Sequence, residues 1–340
     1  MAMAAKVPDI ARIVRDPLWF PHRYDPGHDA FQFRPLSRQD HRRATFLTDE
    51  YLGEGEHVAI RRVDAMAATP ERAPLRFIFH SAFCCSTLLA RAFDVEGVAM
   101  GLKEPMLFND LIGWQHRGGT PRDIAAVLDA GLALLSRPFG PGEAVVIKPS
   151  NVANGMAPAM LTMRADARAL LLHAPLRVYL GSIVRKGMTG RLWVRDLLTK
   201  QLREGLQPFG FKGEDYLGQT DLQVAAMGWL AQHALFGRMV AQFGARVACI
   251  DSERLMAEPG AAMTALAGLF DLALDVPAVV AGPVFSRHSK SGAEFTADDR
   301  RAAMAEEAAH ADEIDKVVIW TEAVANSAGV AMVLPRPLVG

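Results

Sequence analysis

The chain changes its hydrophobic rhythm near residue 75. Beyond that point, short continuous apolar runs alternate with longer stretches whose apolar positions recur every three or four residues. Residues 75–79, 144–147, 168–173 and 246–250 read as strands with no polar face, and 97–101 as a shorter strand. Helical spacing covers 86–94, 121–135 with Thr120 as N-cap and Pro121 in the first turn, 176–206, 221–243, 260–270 and 297–325. Thr296 and Asp299 resemble a capping box for the last of these. Strands apolar on both sides and separated by helices imply an α/β fold, a parallel sheet covered by helices on both faces. Ligands of such sheets bind beyond the carboxyl ends of the strands. The chemistry is therefore expected at residues 81–87, near Lys148 and just after His173.

Residues 1–70 follow another pattern. Prolines at 8, 17, 21, 26 and 35 interrupt a stretch rich in Trp19, Phe20, Tyr24, Phe31 and Phe33, and the expectation is an irregular segment followed by a short helix near 37–51. The expected organisation is an N-terminal extension, 1–70, packed on a core domain, 71–330. His22, His28, His41 and His57 tempt a metal reading, but their spacing matches no compact ligand motif, and no metal is expected.

Composition narrows the field. Half of the 340 residues are hydrophobic, enough for a large core, and the net charge is −1. There is no basic stripe, so a nucleic-acid role has no electrostatic support. Cys84, Cys85 and Cys249 make no disulfide framework, which fits a reducing cytoplasm. Lys6, Asp9, Arg12, Arg15 and Asp16 interrupt any leader-like apolar run. No uncharged apolar stretch of about 18 residues is present, so no membrane span is expected. The alanine-rich, arginine-over-lysine composition suggests a GC-rich bacterial genome. Oligomeric state is left open.

The densest chemistry lies in the turn after the first strand of the second rhythm. A nucleotide-triphosphate loop would read GxxxxGK[ST]. Counting back from Thr87, the two glycine positions and the lysine position hold His80, Cys85 and Ser86, and only the hydroxyl survives. An ATPase would lack the lysine that neutralises its phosphates. The plainer alternative is a strand-to-helix turn with Ser86 as N-cap. A cysteine-phosphatase loop would need its arginine at Arg91, but Leu88-Leu89 put that residue on the helix, away from the loop mouth. Trp229 and Phe236 recur at seven and read as core, while Arg191, Trp193 and Arg195 share one helix.

Cys84-Cys-Ser-Thr-Leu-Leu, followed by Gly97-Val-Ala-Met-Gly-Leu-Lys-Glu-Pro, resembles the opening of bacterial sulfotransferases that use 3′-phosphoadenosine 5′-phosphosulfate (PAPS). Leu171-Leu-His-Ala-Pro through Ser182 is similar to that family's 3′-phosphate motif. Ser252-Glu-Arg-Leu, Pro259 and Leu266-Ala-Gly-Leu-Phe resemble its later Y-E-D-L segment. The resemblance implies a three-layer P-loop-type parallel sheet flanked by helices, with an N-terminal extension. It implies PAPS as co-substrate, no metal, and a hydroxyl or amine acceptor on a small molecule, glycan or lipid. It assigns Phe83, Cys84, Cys85, Ser86 and Thr87 to the 5′-phosphosulfate, and His173 and Ser182 to the 3′-phosphate. Arg287, His288 and Lys290 would belong to a late basic loop. Lys148 would stabilise the transferring group and Glu104 would be the general base, with His80 and His173 as rivals; a Lys103–Glu104 surface ion pair is the plainer reading. The family's basic loop residue falls on Phe83, its glycine on Cys85 and its 3′-phosphate arginine on His173. Lys103, His80, Arg185 and Lys186 are the candidate substitutes for the missing charge. A non-catalytic relative kept for partner binding and a kinase-like nucleotide-dependent transferase are the alternatives.

Overall fold

The computed structural model describes residues 9–69, 72–286 and 309–339. Residues 19–61 form a three-stranded antiparallel sheet instead of the irregular segment expected. Its strands are β1 (Trp19–Asp25), β2 (Ala30–Pro35) and β3 (Val58–Arg61), with β2 in the middle. Pro21 is tolerated because β1 pairs on one side only. A register shift between Pro21 and Arg23 breaks the period-two pattern. Two short helices, Arg38–Arg43 and Asp49–Leu52, stand where one was expected.

The second rhythm folds as anticipated. Strands β4 (Leu75–His80), β5 (Ala99–Lys103), β6 (Ala144–Lys148), β7 (Arg168–His173) and β8 (Val247–Asp251) make one parallel sheet in the order β5-β6-β4-β7-β8. Every residue of β4, β5 and β6 is buried, which explains why these strands lack a polar face. Phe77, Phe79, Val145 and Ile147 face one side and share a core with Phe31 and Phe33 of the N-terminal sheet. Ile78, Val146, Leu170 and Leu172 face the other, among Tyr179, Leu230 and Phe270.

Helices Pro121–Leu135 and Asp221–Phe243 lie where the spacing put them, the latter opened by a Thr220–Gln223 capping box. The stretch read as one helix over 176–206 is two, Leu176–Arg185 and Gly187–Arg203, broken where Gly187 takes φ +55°. The strand expected at 97–101 sits two residues later. Gly101 is obligatory within it, because a Cβ there would stand 2.2 Å from the Ala90 carbonyl oxygen of helix Ser86–Ala92. Of the last predicted helix, Ala311–Ala328 is described; Thr296 and Asp299 lie outside the described residues. The C-terminal segment then runs beside β8, with Cys249 N–H donating to Arg336 O (3.0 Å) and Leu338 N–H to Cys249 O (2.7 Å). Among the described residues no helix is long and apolar enough to cross a membrane.

Candidate active site

Parallel strands bring their carboxyl ends to one edge, so His80, Lys103, Lys148 and His173 end there together. Lys148 is 1 % exposed. Its ammonium donates to Glu104 Oε1 and lies 4.9 Å from the Phe46 ring centroid. A buried lysine without a counter-ion would cost several kcal/mol, on the order given for isolated charges, so the pair is mutually required. A solvated strand end for Lys148 and a surface pair between Lys103 and Glu104 are therefore both excluded. Adjacent residues of a strand point to opposite faces. Lys103 instead donates to the carbonyls of His41 (2.5 Å) and Arg42 (3.2 Å) at the end of helix Arg38–Arg43, and burial pulls its pKa down to about 7.

Glu104 is held in an unfavourable conformation. Its φ is +53°, it precedes Pro105, and its N–H donates to Lys148 O at 2.7 Å. A non-glycine residue there carries about 1–3 kcal/mol of strain, of the kind that gathers at functional sites.

The turn between β4 and helix Ser86–Ala92 is strained as well. Ala82, Phe83 and Cys85 have φ of 72°, 50° and 62°, so three side chains occupy backbone that favours glycine. The surroundings fix this shape. Ala82 N–H donates to His80 Nδ1 (3.1 Å), which leaves the His80 proton on Nε2, donating to Pro149 O (3.1 Å). Ser81 N–H donates to Leu172 O (3.0 Å), and Ser81 Oγ accepts from Ala174 N–H (3.1 Å). Asn154 Nδ2 donates to His80 O (3.0 Å) and Gln232 Oε1 (2.9 Å), while Asn151 Nδ2 reaches the same Gln232 oxygen (3.3 Å). This buried amide trio and Phe46 were not anticipated. They sit on separate elements, and no local spacing joins them.

Ser86 is not the N-cap. Cys85 holds that position, in the left-handed region and without a side-chain cap bond. The helix has seven residues, too short for a strong dipole, so an anion here must rely on first-turn N–H groups and on Lys148. Cys84 is buried, its Sγ 3.6 Å from Leu172 O, and burial pushes the thiol up to about 12, which removes it as a nucleophile. Arg91 lies on the helix and donates to Arg42 O (3.1 Å). The Phe83 ring packs edge-on against Tyr179 (5.8 Å) and Trp193 (5.4 Å). Arg191 and Arg195 both turn to Asp221.

The His173 ring stands 5.2 Å from that of His233, and burial lowers the pKa of both, His233 to about 3. His173 lines a cavity of about 390 Å³ with Trp229, Arg177, Arg254 and the C-terminal segment. Ser182 Oγ donates to Val178 O (2.9 Å) and accepts from Arg185 (2.8 Å), both on its own helix. Arg287, His288 and Lys290 lie outside the described residues. The structure thus gathers His80, Glu104, Lys148 and the turn at 81–87, tied to the end of β7 through Ser81 and Ala174. Ser182 lies one turn along helix Leu176–Arg185 from Tyr179, whose ring meets Phe83 of the turn. Among the described residues no cluster of His, Cys, Asp and Glu could hold a metal.

Fold and edge define an α/β protein with a parallel five-stranded sheet and a buried lysine–glutamate pair at its carboxyl edge. No protein-family description and no curated protein matches the chain. Solved structures that resemble it include the following three. A sulfotransferase domain of the Synechococcus PCC 7002 olefin synthase aligns at 13% identity over 67% of this chain and 83% of its own, TM-score 0.41. A sulfotransferase domain of the curacin biosynthetic pathway aligns at 16% over 78% and 100%, TM-score 0.41. A sulfotransferase from Alicyclobacillus acidocaldarius aligns at 18% over 73% and 96%, TM-score 0.39. These structures bear the name of the family that the motifs resemble.

Proposed function

We propose that the protein transfers a sulfuryl group from PAPS to an acceptor hydroxyl or amine. The observation that carries the reading is the buried Lys148–Glu104 pair beside a strained turn at the carboxyl edge. A cation and a carboxylate within one contact are what the reaction needs, one for the equatorial sulfuryl oxygens and one for the acceptor proton. In the resting protein each neutralises the other. Substrate oxygens would take over the Lys148 ammonium and free the Glu104 carboxylate. The acceptor oxygen or nitrogen then attacks sulfur, its proton passes to Glu104, and the sulfur–oxygen bond to the 5′-phosphate breaks with its electron pair leaving on 3′-phosphoadenosine 5′-phosphate. N–H groups of Ser86 and Thr87 would hold the phosphosulfate. Both ring nitrogens of His80 are committed to Ala82 and Pro149, which favours a positioning role for it over proton transfer.

One observation favours a second reading. Phe83 stands where the family pattern has a cation, and its ring is packed among Tyr179 and Trp193. A non-catalytic relative would tolerate that. Calorimetric titration separates the two. Saturable heat with PAPS and with 3′-phosphoadenosine 5′-phosphate, weakened in Lys148→Ala, supports transfer. No heat with either nucleotide sinks it. Binding of ATP with Mg²⁺ in their place would point to the kinase-like alternative.

A further inference from the structure

The turn at 81–87 is held from behind by one helix. Gln232, 2 % exposed on helix Asp221–Phe243, uses every hydrogen-bonding capacity of its amide. Nε2 donates to Gly228 O of its own helix (3.2 Å) and to Ser81 O (3.4 Å). Oε1 accepts from Asn154 Nδ2 (2.9 Å) and from Asn151 Nδ2 (3.3 Å). The backbone fixes which way these amides point. The Asn154 atom that faces His80 O at 3.0 Å must be the nitrogen, so Gln232 must present its oxygen to that same group.

Trp229, three residues earlier on the same face, donates from Nε1 to Ala174 O (2.8 Å). Ala174 N–H donates to Ser81 Oγ (3.1 Å), which donates in turn to Ala82 O (3.2 Å). The carbonyls of His80, Ser81 and Ala82 are therefore all engaged by side-chain donors, and the helix reaches Ser81 by two routes.

These restraints act on a turn that would not keep its shape unaided. It contains no lysine or arginine, and Ala82, Phe83 and Cys85 all stand at positive φ, strained for residues with side chains. Released, such a turn relaxes by rotating its peptide planes, and a carbonyl swung outward sets its negative end against any anion at the turn. No cation within the turn offsets that repulsion. We propose that Gln232 is a positioning residue for the turn. Together with Asn154 it keeps the His80 and Ser81 carbonyls facing the protein interior, so that an anion meets N–H groups and hydroxyls instead of carbonyls. The inference rests on the reading of this turn as the wall that holds the phosphosulfate, but the restraint itself is measurable without a ligand.

The test compares Gln232→Met and Gln232→Glu with a control, Gln201→Met. Gln201 is also buried, and its hydrogen bonds run to Gly228 O (3.0 Å) and to Gln207 (2.8 Å), away from the turn. In ¹H–¹⁵N spectra of the ligand-free full chain, Gln232→Met should displace and broaden the Ala82 and Phe83 amide resonances. Gln201→Met should leave them in place, although both variants lower the melting temperature. Calorimetric titration with 3′-phosphoadenosine 5′-phosphate should give an affinity about tenfold weaker in Gln232→Met, the size of one hydrogen bond, and unchanged in Gln201→Met.

Gln232→Glu adds a pH signature. It keeps the acceptor for Asn151 and Asn154, so it also serves if Gln232→Met does not fold. Burial raises the pKa of a carboxyl, so in acid the new side chain is neutral and its O–H can donate to Ser81 O. As pH rises it ionises and only accepts, leaving Ser81 O without its donor. Its affinity relative to wild type should be near one in acid and fall with rising pH, with a midpoint above the usual carboxylate range. His80, Glu104 and Lys148 around the turn, His233 beside Gln232 and the phosphates of the nucleotide are common to both proteins and cancel in the ratio. Turn resonances that stay in place in Gln232→Met, or that move as much in Gln201→Met, overturn the proposal. So does unchanged nucleotide affinity in a Gln232→Met protein whose turn has moved. A wild-type protein that binds no nucleotide sinks the sulfuryl-transfer reading alone, and the ligand-free spectra still decide whether Gln232 holds the turn.

Discussion

The site's chemistry is set by where single side chains end up, and the sequence announced some of them for the right reason. Lys148 was legible because a lysine closing an apolar strand, ahead of Pro149, has no ordinary place to go. Glu104 was legible only through family resemblance. Its partner could not be read, since Lys103 is adjacent in sequence but points to the opposite face. The pair leads to a stability experiment that does not depend on function. Breaking one half of a buried ion pair costs about 3–5 kcal/mol, whereas removing both halves costs much less than the sum. Glu104 keeps 16 % of its side chain exposed, so the low end applies. Lys148→Met and Glu104→Gln should each lower the denaturant midpoint, and the double variant should recover part of the loss. If the two losses simply add, the pair is not coupled. On the proposed sulfuryl transfer, turnover of either single variant should also fall by about 10²–10³, the usual effect of losing one preorganised charge. The turn offers a stabilising counterpart. Cys85 sits at φ 62°, ψ 17°, where the family pattern has glycine. Cys85→Gly removes a left-handed penalty of about 1–2 kcal/mol and adds unfolded-chain entropy of about 0.4–1 kcal/mol. A net gain of up to about 1.6 kcal/mol should raise the melting temperature; a lower one would show that the thiol makes contacts worth more than the strain.

Elements were easier to read than residues wherever one period ran unbroken. β6 and β7 carry continuous apolar runs, β4 is interrupted only by Arg76, and the helices Pro121–Leu135 and Asp221–Phe243 carry both cap and period. The N-terminal sheet was missed because Pro21 and the His22 bulge destroy the alternation that marks a strand. The break at Gly187 was missed because apolar spacing continues across it. Long-range links between helix ends were also invisible. Glu204, the C-cap of helix Gly187–Arg203, meets His116, the last residue of helix Met106–His116, at 3.1 Å, with side-chain exposures of 5 % and 8 %. Burial raises the Glu204 pKa from 4.5 to about 7, against a smaller opposite pull from Lys200. The folded protein therefore holds this proton more tightly than the unfolded chain. That contribution is full below about pH 4.5 and is lost as pH rises through about 7. Glu204→Gln cannot titrate, so relative to wild type it should gain stability steadily between those limits. Urea midpoints of the two proteins measured across that range check this. Parallel curves would mean that Glu204 ionises normally. Burial lowers the His116 pKa too, which is why the comparison with Glu204→Gln is needed to isolate the carboxyl.

At the scale of the whole molecule, the sheet has an edge at β8 that the chain itself covers. The C-terminal segment exchanges two backbone hydrogen bonds with Cys249, and Met332 O accepts from His233 Nε2 (3.0 Å). Leu334 is buried at 6 % exposure, in the core that also holds Cys249. This segment thus closes one wall of the cavity at His173 and hides a strand edge that would otherwise invite pairing with another chain. None of this was legible, because residues 331–339 carry no period and their partner, Cys249, is far earlier in the chain. Burial pushes the Cys249 thiol up to about 12 and the residue is 2 % exposed, so in the intact protein it should resist thiol reagents at neutral pH. Removing residues 331–339 should leave the parallel sheet formed, since β8 keeps its full pairing with β7. It should also lower the melting temperature and make Cys249 react. Cys84, buried on the far side of the β7 pairing, should stay protected in both forms. Counting titratable thiols before and after truncation reads this directly: one additional thiol identifies the segment as the cover, whereas an unchanged count, or loss of the far-ultraviolet signal of the fold, would show that it is something else.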